Sequence, residues 1–442
     1  MAGKKTQAQL TPEEKLQQAL VPEAEQPYKI PDNWCWTRLD KIVFITTGKK
    51  DANYGHENGK FPFFTCASEP IRCDDYSFDG ESLLLPGNGA NVGLVIYYNG
   101  KFEAYQRTYV LQPISKNFYL KFIYYNILTF WKEYNKDKQY GSATNYIKLG
   151  NFKNYFVPLP PLTEQQRIVE RIESLFAKLD EAKENLQNVL DGFETRKAAI
   201  LHKAFSGELT ANWRKQHGVS MDSWEEKTLN EQFNIVSGIQ KTPIRIPRSN
   251  FVPYITVANV YRNKLDLDEV KNFEIFEGEL ERYRLLKEDI LIVEGNGSGN
   301  EIGRCAVWND ELPICVHQNH IIRLRKRTNN ILPNYVLYYL NSDDGKQVIK
   351  LRAKTTAGLF NLSTGKIKTI IIPVPNLPEQ TEIVRIIDDL LAKEQQVKEI
   401  AEDALAKIDL IKKSILARAF RGELGTNNPA DEPAVELLKR VL

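Results

Sequence analysis

Residues 157–209 read VPLPPLTEQQRIVERIESLFAKLDEAKENLQNVLDGFETRKAAILHKAFSGEL, and residues 372–424 read IPVPNLPEQTEIVRIIDDLLAKEQQVKEIAEDALAKIDLIKKSILARAFRGEL. The two align without a gap at a constant offset of 215. Pro158/Pro373, Pro160/Pro375, Leu162/Leu377, Glu164/Glu379, Gln165/Gln380 and Leu175/Leu390 match at one end. Phe205 to Leu209 (FSGEL) faces Phe420 to Leu424 (FRGEL) at the other. Chance does not hold a register over such a length, so the chain contains an internal repeat.

Both copies read as long helices. Pro161 and Pro378 stand near the starts, where a missing N–H costs nothing. Thr163 or Asn376 can cap, and Glu164 or Glu379 places a negative charge on the first turn. Apolar residues then recur with 4-3 spacing: Ile168, Ile172, Leu175, Leu179, Ala182, Leu186, Val189 and Phe193, and again Ile383, Ile387, Leu390, Val397, Ala401, Ala404 and Ile408. This is the stripe of a coiled-coil seam. Glu394, opposite Leu179 in the alignment, breaks the stripe and marks the seam's edge or a partner contact. Gly207 and Gly422 stand where C-terminal glycines end helices. At 1.5 Å per residue each copy makes a rod of roughly 60 Å. Two matching seams predict that the rods pack on each other, antiparallel under a pseudo-twofold repeat.

The segments before each copy are only loosely related. ESLLLPGNG (81–89) and DILIVEGNG (289–297) both look like a buried strand entering a glycine turn, and TTGKK (46–50) faces VSGIQKT (236–242). Candidate strands fall at 43–47, 83–85, 93–98, 251–260, 290–293 and 320–325, and candidate helices at 120–134 and 333–341. The reading is α+β: two mixed domains separated by two long antiparallel helices. The divisions expected are an arm (1–36), a first variable domain (37–157), a central helical spacer (158–210), a second variable domain (211–371), a distal spacer (372–425) and a tail (426–442).

The chemistry-bearing residues are sparse. Net charge is only +2, yet residues 236–371 carry 20 Lys/Arg against 15 Asp/Glu, a basic excess that suits phosphate. Five cysteines without a CxxC pair argue against a disulfide framework or zinc knuckle. The N-terminus lacks a signal peptide's apolar core, and no apolar run reaches the ~18 residues of a membrane span, so a cytoplasmic protein is expected. Gly87, Gly89 and the glycines at 295–299 resemble nucleotide loops, but a strand-like EIGRCAVW follows the second where a dinucleotide fold needs a helix. Gly358 to Lys366 has six residues between its glycines, where a P-loop has four. His317 and His320 form an HxxH without a further ligand set. No serine sits in a nucleophile elbow, and no catalytic or metal residues are expected.

The stretches PLPPLTEQ (158–165) and PVPNLPEQ (373–380), each opening a long helix that closes in AFxGEL, resemble the conserved regions of the specificity subunits of type I restriction–modification enzymes. The helix at 12–22, the phrase IPDNWCW (30–36) and the acidic tail 427–442 are similar to that family too. The resemblance implies a non-catalytic DNA-binding subunit of a phage-defence system. Each variable segment would be a target recognition domain reading one half of a bipartite double-stranded site, with the helical pair as ruler. The helices would dock two methyltransferase subunits, which use S-adenosylmethionine to methylate adenine N6. Restriction subunits would add ATP- and Mg-dependent translocation and cleavage. No cofactor would sit in this chain.

Loop residues with suitable donors are the candidates for DNA contact. In the first domain they are Lys49, Lys50, Asn88, Asn91, Arg107, Ser142, Thr144, Asn145 and Lys148. In the second they are Gln240, Lys241, Asn296, Ser298, Gln318, Asn319, Arg352, Lys354 and Thr355. The alternatives are an enzyme built on two reading domains, a scaffold whose variable domains bind protein, and a silent or orphan specificity subunit.

Overall fold

A computed structural model describes residues 11–141, 145–296, 298, 301–356 and 359–442. By internal packing the chain divides into two compact units, residues 1–186 with 403–442, and residues 187–402. Each unit therefore holds one variable segment, the start of one long helix and the end of the other.

The first unit is built on an antiparallel four-stranded sheet, in the order Val43–Thr47, Thr108–Pro113, Glu81–Pro86, Ile96–Asn99. Beside it lies a three-stranded sheet, Ile71–Cys73, Phe61–Phe64, Glu103–Ala104, whose last pairing is parallel. The second unit repeats both. Its large sheet runs Phe233–Ser237, Ile321–Lys326, Asp289–Val293, Cys305–Trp308. Its small one runs Lys271–Glu274, Phe251–Ile255, Val316–His317, again ending in a parallel pair. Two segments with little common sequence thus share one topology. The strands read at 43–47, 83–85, 290–293 and 320–325 fall within this frame. The stretch 93–98 does so only from Ile96 onward: a turn occupies 91–93, with Gly93 at φ +109°.

The helix Leu120–Tyr134 packs Phe122, Ile123, Ile127 and Trp131 into the first core, and Pro333–Asn341 packs Tyr335, Val336 and Leu340 into the second. These spacings are the i, i+4 face of an amphipathic helix. A short ladder closes each unit: Cys35–Arg38 pairs with Phe156–Leu159, and Glu225–Thr228 pairs with Ile371–Val374. Each ladder leads into a long helix.

The long helices depart from the sequence reading in three places. The second is continuous over Leu377–Ala419, but the first is divided into Leu162–Asp191 and Phe193–Phe205 by Gly192. A Cβ on Gly192 would stand 2.5 Å from the Arg196 guanidinium, which folds back to donate to the Val189 carbonyl at 3.0 Å and pairs with Glu394 at 2.8 Å. Glu394 is therefore a seam residue, answered by an arginine. After it the stripe is displaced by one residue. Val397, expected in the seam, is 44% exposed, and Lys398 faces inward with its ammonium 5.0 Å from the Phe193 ring. Thr163 lies inside the helix and does not cap it, whereas the Asn376 side chain accepts from the Glu379 N–H at 2.9 Å.

Antiparallel packing is visible within each unit. In the first, Lys412 meets Asp180 and the Phe176 ring, and Ile168 and Ile172 share a core with Leu416 and Ala419. In the second, Ile383 and Ile387 share a core with Leu201, Ala204 and Phe205. Leu175, Leu179, Leu186 and Leu390 are half-buried, and Ile408 is buried. Gly207 and Gly422 adopt φ of +79° and +73° just past the helix ends, as C-terminal glycines do.

The repeated Glu-Gln pair at each helix start is a buried station. Glu379 accepts from Arg214 at 2.6 Å, Thr210 at 2.8 Å and Trp224 Nε1 at 3.0 Å. Glu164 accepts from Arg167 at 2.6 Å and Thr426 at 2.8 Å, and Arg167 also pairs with Asp431. Gln165 accepts from the Tyr119 N–H and donates to the Pro160 carbonyl, while Gln380 does the same with Leu332 and Pro375. The residues after one long helix thus anchor the start of the other. The C-terminal segment takes part: Leu437 and Leu438 of the helix Ala434–Val441 are buried in the first core.

Candidate nucleic-acid interface

In the first unit, two glycines let backbone approach backbone. A Cβ on Gly48 would lie 1.7 Å from the Ala104 carbonyl oxygen, and one on Gly87 would lie 2.4 Å from that of Arg107. Gly48 brings the Lys49-Lys50 loop against the turn 105–107, where the Gln106 N–H donates to the Lys50 carbonyl at 2.9 Å. Gly87 donates to the Arg107 carbonyl at 2.8 Å and accepts from the Ile147 N–H at 2.9 Å, while Gly89 donates to Asn145 at 2.8 Å. Backbone bonds therefore stitch four loops into one face.

That face collects Lys50, Asn88, Arg107, Asn145 and Lys148, with Lys49 exposed beside Lys50. A cleft of about 200 Å³ between the loops is lined by Thr47, Asn88, Gln106, Arg107 and Tyr146. The Asn88 Oδ1 accepts from the Cys66 thiol at 3.0 Å, which fixes the amide. Lys50 lies over the Tyr54 ring at 4.0 Å, and its hydrogen bond to that tyrosine holds its pKa above the usual lysine value. Asn91 does not join the group: its amide donates to the Cys66 carbonyl at 2.8 Å and braces the loop. Ser142 and Thr144 lie outside the described residues.

Sequence reasoning missed the aromatic part of this face. Tyr140 and Tyr146 stack at 5.5 Å and are 45% and 36% exposed. The Lys148 ammonium sits 4.1 Å from the Tyr140 ring. Two tyrosines bracketing the polar run GSATN were the available signal.

The second unit repeats the construction. A Cβ on Gly238, the counterpart of Gly48, would lie 2.0 Å from the His317 carbonyl oxygen. Ile239 N–H donates to that carbonyl at 2.8 Å, and Asn319 N–H returns to the Ile239 carbonyl at 2.9 Å. Gly295–Asn296 pairs with Leu359–Asn361, which pairs with Lys354–Thr356. Gln240 and Lys241 are exposed, Gln318 and Asn319 half-buried, and Ser298 exposed. Asn296, Lys354 and Thr355 are carried on the strands of this further three-stranded sheet. Arg352 is drawn away, its guanidinium donating to the Thr369 carbonyl at 3.2 Å. A cavity of about 390 Å³ beside Lys241 and Gln318 adds Arg245 and Lys271, neither of which the sequence reading named.

The two histidines of the HxxH do not converge on one site. His317 is sealed in the core against the Ile321 carbonyl at 2.9 Å, and burial pushes its pKa down to about 3. His320 is exposed and faces Glu294 at 3.2 Å. Burial pushes the thiols of Cys35 and Cys305 up to about 12, the behaviour of packing residues. No helix among the described residues is long and apolar enough to cross a membrane.

A chain with two such faces on one repeated frame now meets its relatives. The model of the type I restriction modification DNA specificity domain matches residues 31–191 and again 221–402. The chain belongs to this family. It is 27% identical over 422 residues to the specificity subunit of the type I restriction enzyme EcoDI from Escherichia coli, covering 92% of each chain. It is 31% identical over 301 residues to that of EcoKI from Escherichia coli strain K12, covering 66% of this chain and 63% of the relative. Among solved structures, the HsdS subunit from Thermoanaerobacter tengcongensis superposes with a TM-score of 0.66 at 18% identity, covering 91% of this chain and all of the other. A chain from a structure describing assembly of the type I restriction–modification system gives 0.60 at 18% identity, covering 90% and 100%. The fold and the role of DNA sequence recognition follow from this membership. The two stitched loop faces are where this type I specificity subunit presents divergent side chains on a constant frame.

Proposed function

We propose that each loop face reads one half of a split double-stranded site, and that the paired helices fix the distance between the halves. The observation that supports this most is the duplication itself. One topology and one set of loop stitches recur with different side chains, which is what two different half-sites on one frame require. Lys49, Lys50, Arg107, Lys148 and Lys241 supply charge for phosphates, and Asn88 and Gln318 supply amides for base edges. Tyr140 and Tyr146 offer an exposed stack that can lie against sugar or a groove wall.

The long helices are the docking surface for two methyltransferase subunits in this reading. Val397 and Ile400 of the second unit are 44% and 60% exposed, and Leu410 and Ile411 of the first are 63% and 45% exposed. Apolar side chains on the open side of a helix fit partner helices. The methyltransferase would bring S-adenosylmethionine, the restriction subunits ATP and Mg, and this chain would carry no bond-making step.

Selection from random duplexes tests the proposal. The complex with the methyltransferase subunit should enrich two short motifs at constant separation. Asn88→Ala should weaken enrichment of one motif and leave the other's sequence unchanged. A protein scaffold would enrich nothing, and an enzyme in its own right would modify or cut DNA as the purified chain alone.

A further inference from the structure

The helix Leu120–Tyr134 buries one amide among its apolar residues. Asn126 is 1% exposed, its Oδ1 accepts from the Tyr155 hydroxyl at 2.9 Å, and its Nδ2 has no partner among the described residues. Turning the amide end for end only transfers the deficit to the oxygen. Buried polar groups are normally hydrogen-bonded, so an orphan calls for a partner. Asn126 lines a cavity of about 510 Å³ walled by Tyr28, Trp36, Phe130, Tyr134 and Tyr155. That volume, with aromatic walls and few polar groups, is the form of a small-molecule site.

The charged groups at the cavity are already engaged. Glu25 faces Arg38 at 3.7 Å, Glu133 faces Lys136 at 3.5 Å, and the Lys138 ammonium lies 3.4 Å from the Tyr134 ring. The Asn126 amide is the unmet demand. None of the reading residues Lys50, Asn88, Arg107 or Tyr146 lines this cavity. The second unit has not kept its walls. Trp36 pairs across the ladder with Pro158, whereas Glu226 pairs with the matching Pro373. The Tyr155 carbonyl accepts from Leu39, and in the second unit Ile370 accepts from Leu229. The duplicated frame does not itself require the aromatic lining.

We propose that this cavity binds a small, planar aromatic molecule bearing an oxygen or nitrogen acceptor, with the ring against the aromatic walls and the acceptor on the Asn126 amide. Two probes of equal shape test it on the full chain: isoquinoline, which has a ring-nitrogen acceptor, and naphthalene, which has none. Isoquinoline should bind about tenfold more tightly, the worth of one hydrogen bond to a desolvated donor. Asn126→Leu should erase that preference, and Tyr134→Ser should weaken both probes by a similar factor. If Asn126→Leu does not fold, soaked wild-type crystals decide, with the ring nitrogen expected about 3 Å from Nδ2. Equal affinity for the two probes, a preference that survives Asn126→Leu, no binding of isoquinoline, or isoquinoline located elsewhere would each overturn the proposal.

Discussion

Replacing Arg214 with methionine isolates the buried station that anchors the second long helix. The Glu379 side chain is 0% exposed and that of Arg214 10%, so solvent screens their pairing little. Methionine keeps the aliphatic cover but removes the charge that answers the carboxylate. It also removes the bond from Arg214 to the Gly207 carbonyl at 2.6 Å. Breaking one side of a buried ion pair costs about 3–5 kcal/mol. Thr210 and Trp224 still donate to Glu379, which sets the expectation near the lower end, about 3 kcal/mol. Urea unfolding monitored by tryptophan emission is a direct assay, because Trp224 bonds to the carboxylate itself. The double variant Arg214→Met with Glu379→Gln no longer buries a lone charge and should recover most of the loss. A loss below about 1 kcal/mol in Arg214→Met, or no recovery in the double variant, would refute this account of the Glu-Gln motif.

Gly48→Ala should destabilise the first unit by about 2–3 kcal/mol, as overpacking against fixed backbone does, and a melting curve unchanged from wild type would contradict the loop-stitch geometry. Arg107→Ala should weaken DNA binding and flatten its salt dependence by close to one phosphate contact, which filter binding across salt concentrations measures. Lys354→Ala should weaken binding about equally across sequences, and undiminished binding at every salt concentration would remove it from the interface. His317, whose folded pKa is held down to about 3 by burial, should make the second unit less stable as pH falls below the unfolded value of about 6.5. The unfolded chain then takes up a proton that the folded one refuses. By pH 5 the contribution is about 2 kcal/mol, and a His317→Asn variant with the same pH slope as wild type would show that this residue is not its source.

The helical spacers were legible because their copies align without a gap and their seams repeat. The equivalence of the two reading domains was not. The offset is 190 at Gly48 and Gly238 but 215 at Pro158 and Pro373, so insertions between strands dissolve the alignment while the sheet order persists. The shared GNG sequence and the pair Gly48 and Gly238, each pressed against a neighbouring carbonyl, were the common traces left. The first-turn acids Glu164 and Glu379 gave no sign of burial, because Thr426 and Arg214, which donate to them, follow the end of the opposite helix. Val397 was misplaced for a similar reason: Arg196, distant in sequence, pairs with Glu394 in the seam, and Lys398 rather than Val397 lies beside Phe193. Loop position and donor chemistry select Arg107 and Asn88 as candidates but do not separate them from Asn91, whose amide donates to the Cys66 carbonyl.

The central claim is that each variable segment specifies one half of the target. It is tested most directly by co-expressing the chain with its methyltransferase subunit, mapping adenine methylation across the host DNA, and repeating the map after exchanging residues 37–156 for those of another specificity subunit. The account predicts methylation at a split motif, with one half replaced by the exchange and the other half and the spacing retained. Methylation at an undivided motif, or an exchange that alters both halves or neither, would contradict it.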